Sequence, residues 1–110
     1  MRKLLVAALV AVLSALFASQ AFAARTLRVG DDYFVRTGDP PRVTVSKGTR
    51  VTWRWVGNRD HNVVVRRGPV KFRSDLQDSG RFSRKLRRRG TYKIVCTIHQ
   101  PDMAMTLRVR

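Results

Sequence analysis

The 110-residue chain has one cysteine, two histidines and seven acidic residues, set against 23 lysines and arginines. A lone cysteine excludes a disulfide framework within the chain. Two histidines supply at most one histidine-bearing centre, which argues against oxidase chemistry that needs a further, open site in this chain alone. The apolar run at 4–17 is shorter than the ~20 residues a spanning helix needs. No long run of helical period, no internal repeat and no low-complexity tract is present, apart from the basic cluster at 84–89, RKLRRR.

Arg2 and Lys3 precede that apolar run, and Ala21-Phe22-Ala23 follows it. This is the layout of a secretory signal peptide, with the cut expected after Ala23. Residues 1–23 are therefore expected to be a leader, and 24–110 a single domain exported to the periplasm or secreted. Removing 23 residues from 110 leaves 87, enough for one modest core. That domain carries 21 basic and 7 acidic residues, a formal net charge of +14. Such a surface attracts anionic partners in a salt-dependent way. Export argues against nucleic acid and leaves acidic proteins, anionic lipid headgroups, through weak contact with a membrane surface, or cell-wall polyanions as candidates.

The remaining sequence consists of short runs rich in Val, Thr, Trp and Tyr, punctuated by Gly, Pro, Asn and Asp, which is how all-β domains read. In RVTVSKGTRVTWRW, Val43 and Val45 alternate with polar residues, Lys47-Gly48-Thr49 supplies a turn, and Val51, Trp53 and Trp55 alternate again. This pattern predicts a half-buried hairpin. HNVVVR, GRFSRKL, TYKIVC and MTLRVR are further strand candidates, and the count suits a two-layer β-sandwich. The polar stretch VKFRSDLQ at 70–77 reads as a connecting loop with room for one helical turn.

Why an exported protein should keep one unpaired cysteine is answered by its neighbours. Cys96 alone is open to four readings: an intermolecular disulfide, a buried small hydrophobe, a nucleophile or a metal ligand. His99 and Met103 follow at spacings of three and four. Those spacings also fit one helix face, but the segment leaves a strand-like run and Pro101 biases Gln100 away from helical angles. A tight loop therefore gathers the three side chains. The other histidine, His61, opens HNVVV, a strand able to lie beside TYKIVC. Two imidazoles, a thiolate and a weak thioether describe a blue-copper electron-transfer site, whereas a thioether is a poor fourth ligand for zinc. Met105 competes with Met103 for the thioether role. A Cys-His hydrolase is disfavoured, because Asp102 is the only obvious orienting carboxylate.

Two blocks, VTVSKGTRVTWRWVGNRDHNVVV at 43–65 and GTYKIVCTIHQPDMAMTLRV at 90–109, together resemble the plastocyanin/azurin, or cupredoxin, family. The resemblance implies a Greek-key β-sandwich with one type 1 copper ion at one end, held by His61, Cys96, His99 and Met103. It also implies that Asn62 and Thr97 tie the two ligand-bearing segments together, and that His99 reaches the surface as the electron's exit.

The expected function is that of a small, monomeric electron carrier rather than an enzyme. Its redox partner is expected to be an acidic protein such as a cytochrome or a copper oxidoreductase, with Arg84 to Arg89 as the candidate docking surface. Copper delivery or buffering without redox turnover, and cationic surface binding with a structural metal, are the alternatives.

Overall fold

A computed structural model describes residues 23–35 and 41–110. The expected leader lies outside the described residues except for Ala23.

The described residues form eight strands, most of them with alternating buried apolar residues: β1 (Ala24–Gly30), β2 (Tyr33–Phe34), β3 (Arg42–Val45), β4 (Arg50–Trp55), β5 (Val64–Arg67), β6 (Arg81–Lys85), β7 (Gly90–Val95) and β8 (Ala104–Val109). They form two four-stranded sheets, ordered β2-β1-β4-β6 and β3-β8-β7-β5. Each sheet is mixed: β1 runs parallel to β4 and β3 parallel to β8, and the other pairs are antiparallel. The chain crosses between the sheets from β3 to β4 and at each later connection up to β7, giving an all-β Greek-key sandwich.

The core lies between the sheets. Leu27 and Val29 of β1 with Val51, Trp53 and Trp55 of β4 face Tyr92 and Ile94 of β7 and Met105, Leu107 and Val109 of β8. All are buried, as the period-two alternation requires. Phe72 closes one side, with its ring centroid 5.8 Å from Trp53, 6.0 Å from Phe82 and 6.2 Å from Tyr92.

Two expectations are corrected. Val43 and Val45, and Val51, Trp53 and Trp55, are buried as expected, but β3 and β4 are not a hairpin. The turn at Lys47-Gly48, where Gly48 adopts φ 89°, carries the chain across to the opposite sheet, and β1 takes the place beside β4 that β3 was expected to fill. The 70–77 stretch contains no helical turn. It runs extended along β5 and makes two isolated bridges, Val64 with Arg73 and His61 with Gln77.

Candidate metal centre

The centre forms where β7 ends. Cys96 directly follows β7 and Met103 directly precedes β8, so the loop between them closes over one end of the sandwich. The ladder register, with Val95 opposite Ala104, carries one step further: the Cys96 N–H donates to the Met103 carbonyl at 3.0 Å. Cys96 and Met103 are thus cross-strand neighbours with side chains on one face. Met105 lies opposite Ile94, two residues or about 7 Å deeper along the strand. The loop is cinched from inside, with the His99 N–H donating to the Cys96 carbonyl at 3.3 Å and the Met103 N–H to the His99 carbonyl at 3.0 Å.

His61 arrives from the neighbouring segment, because β5 pairs with β7 as expected. Its backbone is clamped: its N–H donates to the Gln77 carbonyl at 2.9 Å, while its own carbonyl accepts from the Gln77 N–H and the Trp55 indole, both at 3.1 Å. The next residue ties the two segments together. The Asn62 amide donates to Thr97 Oγ1 and accepts from the Thr97 N–H, each at 2.8 Å, so the tie implied for these residues is present.

Three donor atoms converge as a result. His61 Nδ1 lies 3.2 Å from His99 Nδ1, and Cys96 Sγ lies 3.4 Å from His99 Nδ1 and 4.0 Å from His61 Nδ1. His61, Cys96 and Met103 are fully buried, while the His99 side chain keeps 27% of its surface exposed. Ile98 and Pro101, in the same loop, are exposed around it.

Two carboxylates that the sequence did not reveal orient the rings. Asp31 and Asp32 form the turn between β1 and β2, where Asp32 adopts φ 67°, a conformation that Asp tolerates better than most residues. His61 Nε2 donates to Asp31 Oδ1 at 3.0 Å, and His99 Nε2 lies 3.3 Å from Asp32 Oδ1. Asp31 also accepts the backbone N–H groups of Asn58 and Arg59 at 3.0–3.1 Å. Gly57 makes this approach possible, since a Cβ there would lie 2.2 Å from Asp31 Oδ1. The hydrogen bond from His61, followed by those from Arg59 and Asn58, holds the Asp31 carboxyl down at about 2. Asp102, the carboxylate expected to matter if any did, is exposed at the loop surface. With Nε2 of each ring turned to a carboxylate, both Nδ1 atoms face inward beside a sulfur. Such a convergence of donors suits a cation. Cys96, His99 and Asp32 also trace the line of a Cys-His-Asp triad, but a fully buried sulfur backed by a second imidazole offers no approach to a carbonyl substrate.

The basic cluster lies elsewhere. Arg89 adjoins Gly90, where β7 begins, and Cys96 is at its other end, about 20 Å away for six residues of strand. That distance is about twice the screening length at 0.1 M salt, so the charges of the cluster do not adjoin the donor atoms.

The sandwich and its donor cluster define a metal-binding β-domain, and the comparisons with known proteins identify its kind. Residues 37–110 match the model for copper binding proteins of the plastocyanin/azurin family. The chain belongs to that family, and copper is its cofactor, with a donor cluster suited to one type 1 ion. No curated protein sequence matches it. Among solved structures it is similar to a reduced Cu(I) form of an amicyanin mutant at pH 4, at 24% identity, covering 84% of this chain and 88% of that one, with a TM-score of 0.66. It is also similar to a purple cupredoxin from Nitrosopumilus maritimus, at 23% identity, covering 78% and 99%, with a TM-score of 0.63. A third likeness is to the copper-containing nitrite reductase of Thermus scotoductus SA-01, at 22% identity and a TM-score of 0.67; the match covers 79% of this chain but only 22% of that enzyme. At these identities the structural likenesses establish the fold.

Proposed function

We propose that the protein is a small, monomeric, soluble electron carrier, not an enzyme in its own right, which works in the periplasm or outside the cell after residues 1–23 are removed. His61, Cys96, His99 and Met103 are the proposed ligands of its single copper ion. The observation that carries this reading is the convergence of two imidazole Nδ1 atoms and one thiolate sulfur within 4.0 Å, beside a buried thioether on the same face. Bound copper supplies a one-electron couple between Cu(I) and Cu(II).

The chain's own residues supply rigidity and access. Asp31 fixes the His61 ring, and Asn62 and Thr97 lock its segment to that of Cys96, so the ligands keep one geometry whatever the charge at the centre. Burial of His61, Cys96 and Met103 excludes water and favours a retained ion over one handed to an acceptor. Only the His99 edge reaches the surface, and it is the proposed exit for the electron. The redox partner, a cytochrome or copper oxidoreductase, therefore meets the loop around Ile98, His99 and Pro101. The net positive charge of the chain raises its encounter rate with an acidic partner, while contact at the exposed Ile98 and Pro101 beside His99 permits transfer.

Cyclic voltammetry of the copper-loaded protein tests the reading. A reversible one-electron wave that survives repeated cycling without loss of copper is expected. An irreversible wave, or release of Cu(I) on reduction, would replace the carrier with a copper-delivery protein.

A further inference from the structure

The charges are sorted along the long axis of the sandwich. All six acidic residues among those described, Asp31, Asp32, Asp60, Asp75, Asp78 and Asp102, sit in loops of the metal end: Asp31 and Asp32 beside the histidines, Asp60 next to His61, Asp75 and Asp78 flanking the Gln77 bridge, and Asp102 next to Met103. That end carries both signs, and Arg59 there pairs with Asp32. The opposite end carries one sign. Backbone bonds from Lys47 to Arg110, Gly48 to Leu86 and Arg50 to Ala23, together with the pairing of Arg50 with Lys85, knit four segments into one surface. Lys47, Arg50, Arg87, Arg88, Arg89 and Arg110 are exposed on it, and no acidic residue among those described shares it.

Two further features bear on what this pole would meet. Next to it lies a depression of about 430 Å³ whose apolar floor includes Phe72, Leu86 and Tyr92 and whose rim includes Arg84, Arg87 and Arg88. An anion with an apolar body fits that combination better than a uniformly charged polymer does. The chain also enters the domain here, because Ala24 lies opposite Arg50, and only six residues separate the apolar run at 4–17 from Ala24. A polypeptide leaving a membrane would present this end to the bilayer first.

We propose that the pole opposite the metal centre docks on the anionic headgroups of a lipid bilayer, holding the carrier at the membrane with its His99 edge facing away toward soluble partners. Phosphate oxygens of the headgroups accept from the arginines, and the depression receives the glycerol region of one lipid. The contact is electrostatic, reversible and sensitive to salt. It does not depend on copper, so its success or failure is separable from that of the electron-carrier reading.

The test is sedimentation of the exported protein, its N-terminus established by mass spectrometry, with vesicles of phosphatidylcholine alone or of phosphatidylcholine with phosphatidylglycerol. Salt-reversible binding to the mixed vesicles only is expected. Arg87→Ser, Arg88→Ser and Arg89→Ser together should weaken it about 100-fold, at about fivefold per basic residue near the surface. Arg54→Ser, Arg73→Ser and Arg81→Ser, which lower the net charge equally nearer the metal end, should change it by only about a few-fold on the same scale. Equal losses in the two triple variants would reduce the effect to net charge and overturn the docking pole. Equal binding to neutral vesicles, or binding to soluble polyglutamate without any to mixed vesicles, would overturn the lipid partner.

Discussion

Removing the Asn62 amide should be among the most damaging small changes available near the metal end. Asn62 is 3% exposed and makes two hydrogen bonds of 2.8 Å to Thr97. Two such bonds contribute about 1 kcal/mol each, and stranding the Thr97 N–H and hydroxyl in a half-buried site adds about another 1 kcal/mol, so Asn62→Ala should cost about 2–4 kcal/mol. For a domain of this size that is a fall in Tm of about 10–20 °C. Urea denaturation of the metal-free protein measures the cost without any contribution from copper. Thr97→Ser, which keeps both the N–H and a hydroxyl, should stay near the parent. Thr97→Val removes only the hydroxyl and should show a coupling energy with Asn62→Ala of about 1 kcal/mol. An Asn62→Ala cost below about 0.5 kcal/mol, in the range of ordinary surface substitutions, or additive behaviour in the cycle, would refute the claim that this pair holds the ligand segments together.

Other substitutions separate the roles of the surrounding residues. Asp31→Ala should lower copper affinity about 10- to 100-fold, the usual loss when a residue orienting a ligand is removed, and Asp31→Asn should lose less because it retains an oxygen for the His61 Nε2–H; competitive chelator titration measures both. Gly57→Ala should reproduce part of the Asp31→Ala loss, because its Cβ would push into the Asp31 carboxylate, and the same titration reads it. Asp31 titrates at about 2 in the folded state against an ordinary 3.8, so its stabilising contribution is present above about pH 4 and is lost as pH falls toward 2. Acid unfolding of the metal-free protein followed by circular dichroism should show that loss, with a flatter profile in Asp31→Asn. Arg87→Ser, Arg88→Ser and Arg89→Ser together should leave the rate of electron exchange with a small soluble reagent unchanged in stopped-flow measurements, because the cluster is about 20 Å from Cys96 along β7.

The donor cluster was legible because scarcity did most of the selection. With one cysteine and two histidines in the chain, any soft-metal site had to use Cys96 with His61, His99 or both, and the strand pattern put HNVVV beside TYKIVC. The β3–β4 turn was misread because alternation reports only which side chains are buried. A hairpin within one sheet and an arch between two sheets bury the same Val43, Val45, Val51, Trp53 and Trp55, and only the pairing partners β8 and β1 distinguish them. β1 itself offers two apolar alternations, Leu27 and Val29, directly after the expected leader, too few to mark a strand. Asp31 and Asp32 read as turn residues after Gly30. Their contacts with His61 and His99 span 30 and 67 positions, and nothing local to the GDDY sequence points to a partner so distant. The one hint was compositional, an adjacent pair of acids in a chain with only seven.

The account rests on copper held by the thiolate of Cys96 with His61, His99 and Met103. The most direct measurement is a Cu(II) titration of the purified protein and of Cys96→Ser, followed by visible and EPR spectroscopy. One equivalent of copper should give an intense thiolate-to-copper band and an EPR signal of type 1 character, both lost in Cys96→Ser while circular dichroism shows the fold retained. A bound Cu(II) ion with no thiolate band, or a spectrum unaltered by the substitution, would contradict it.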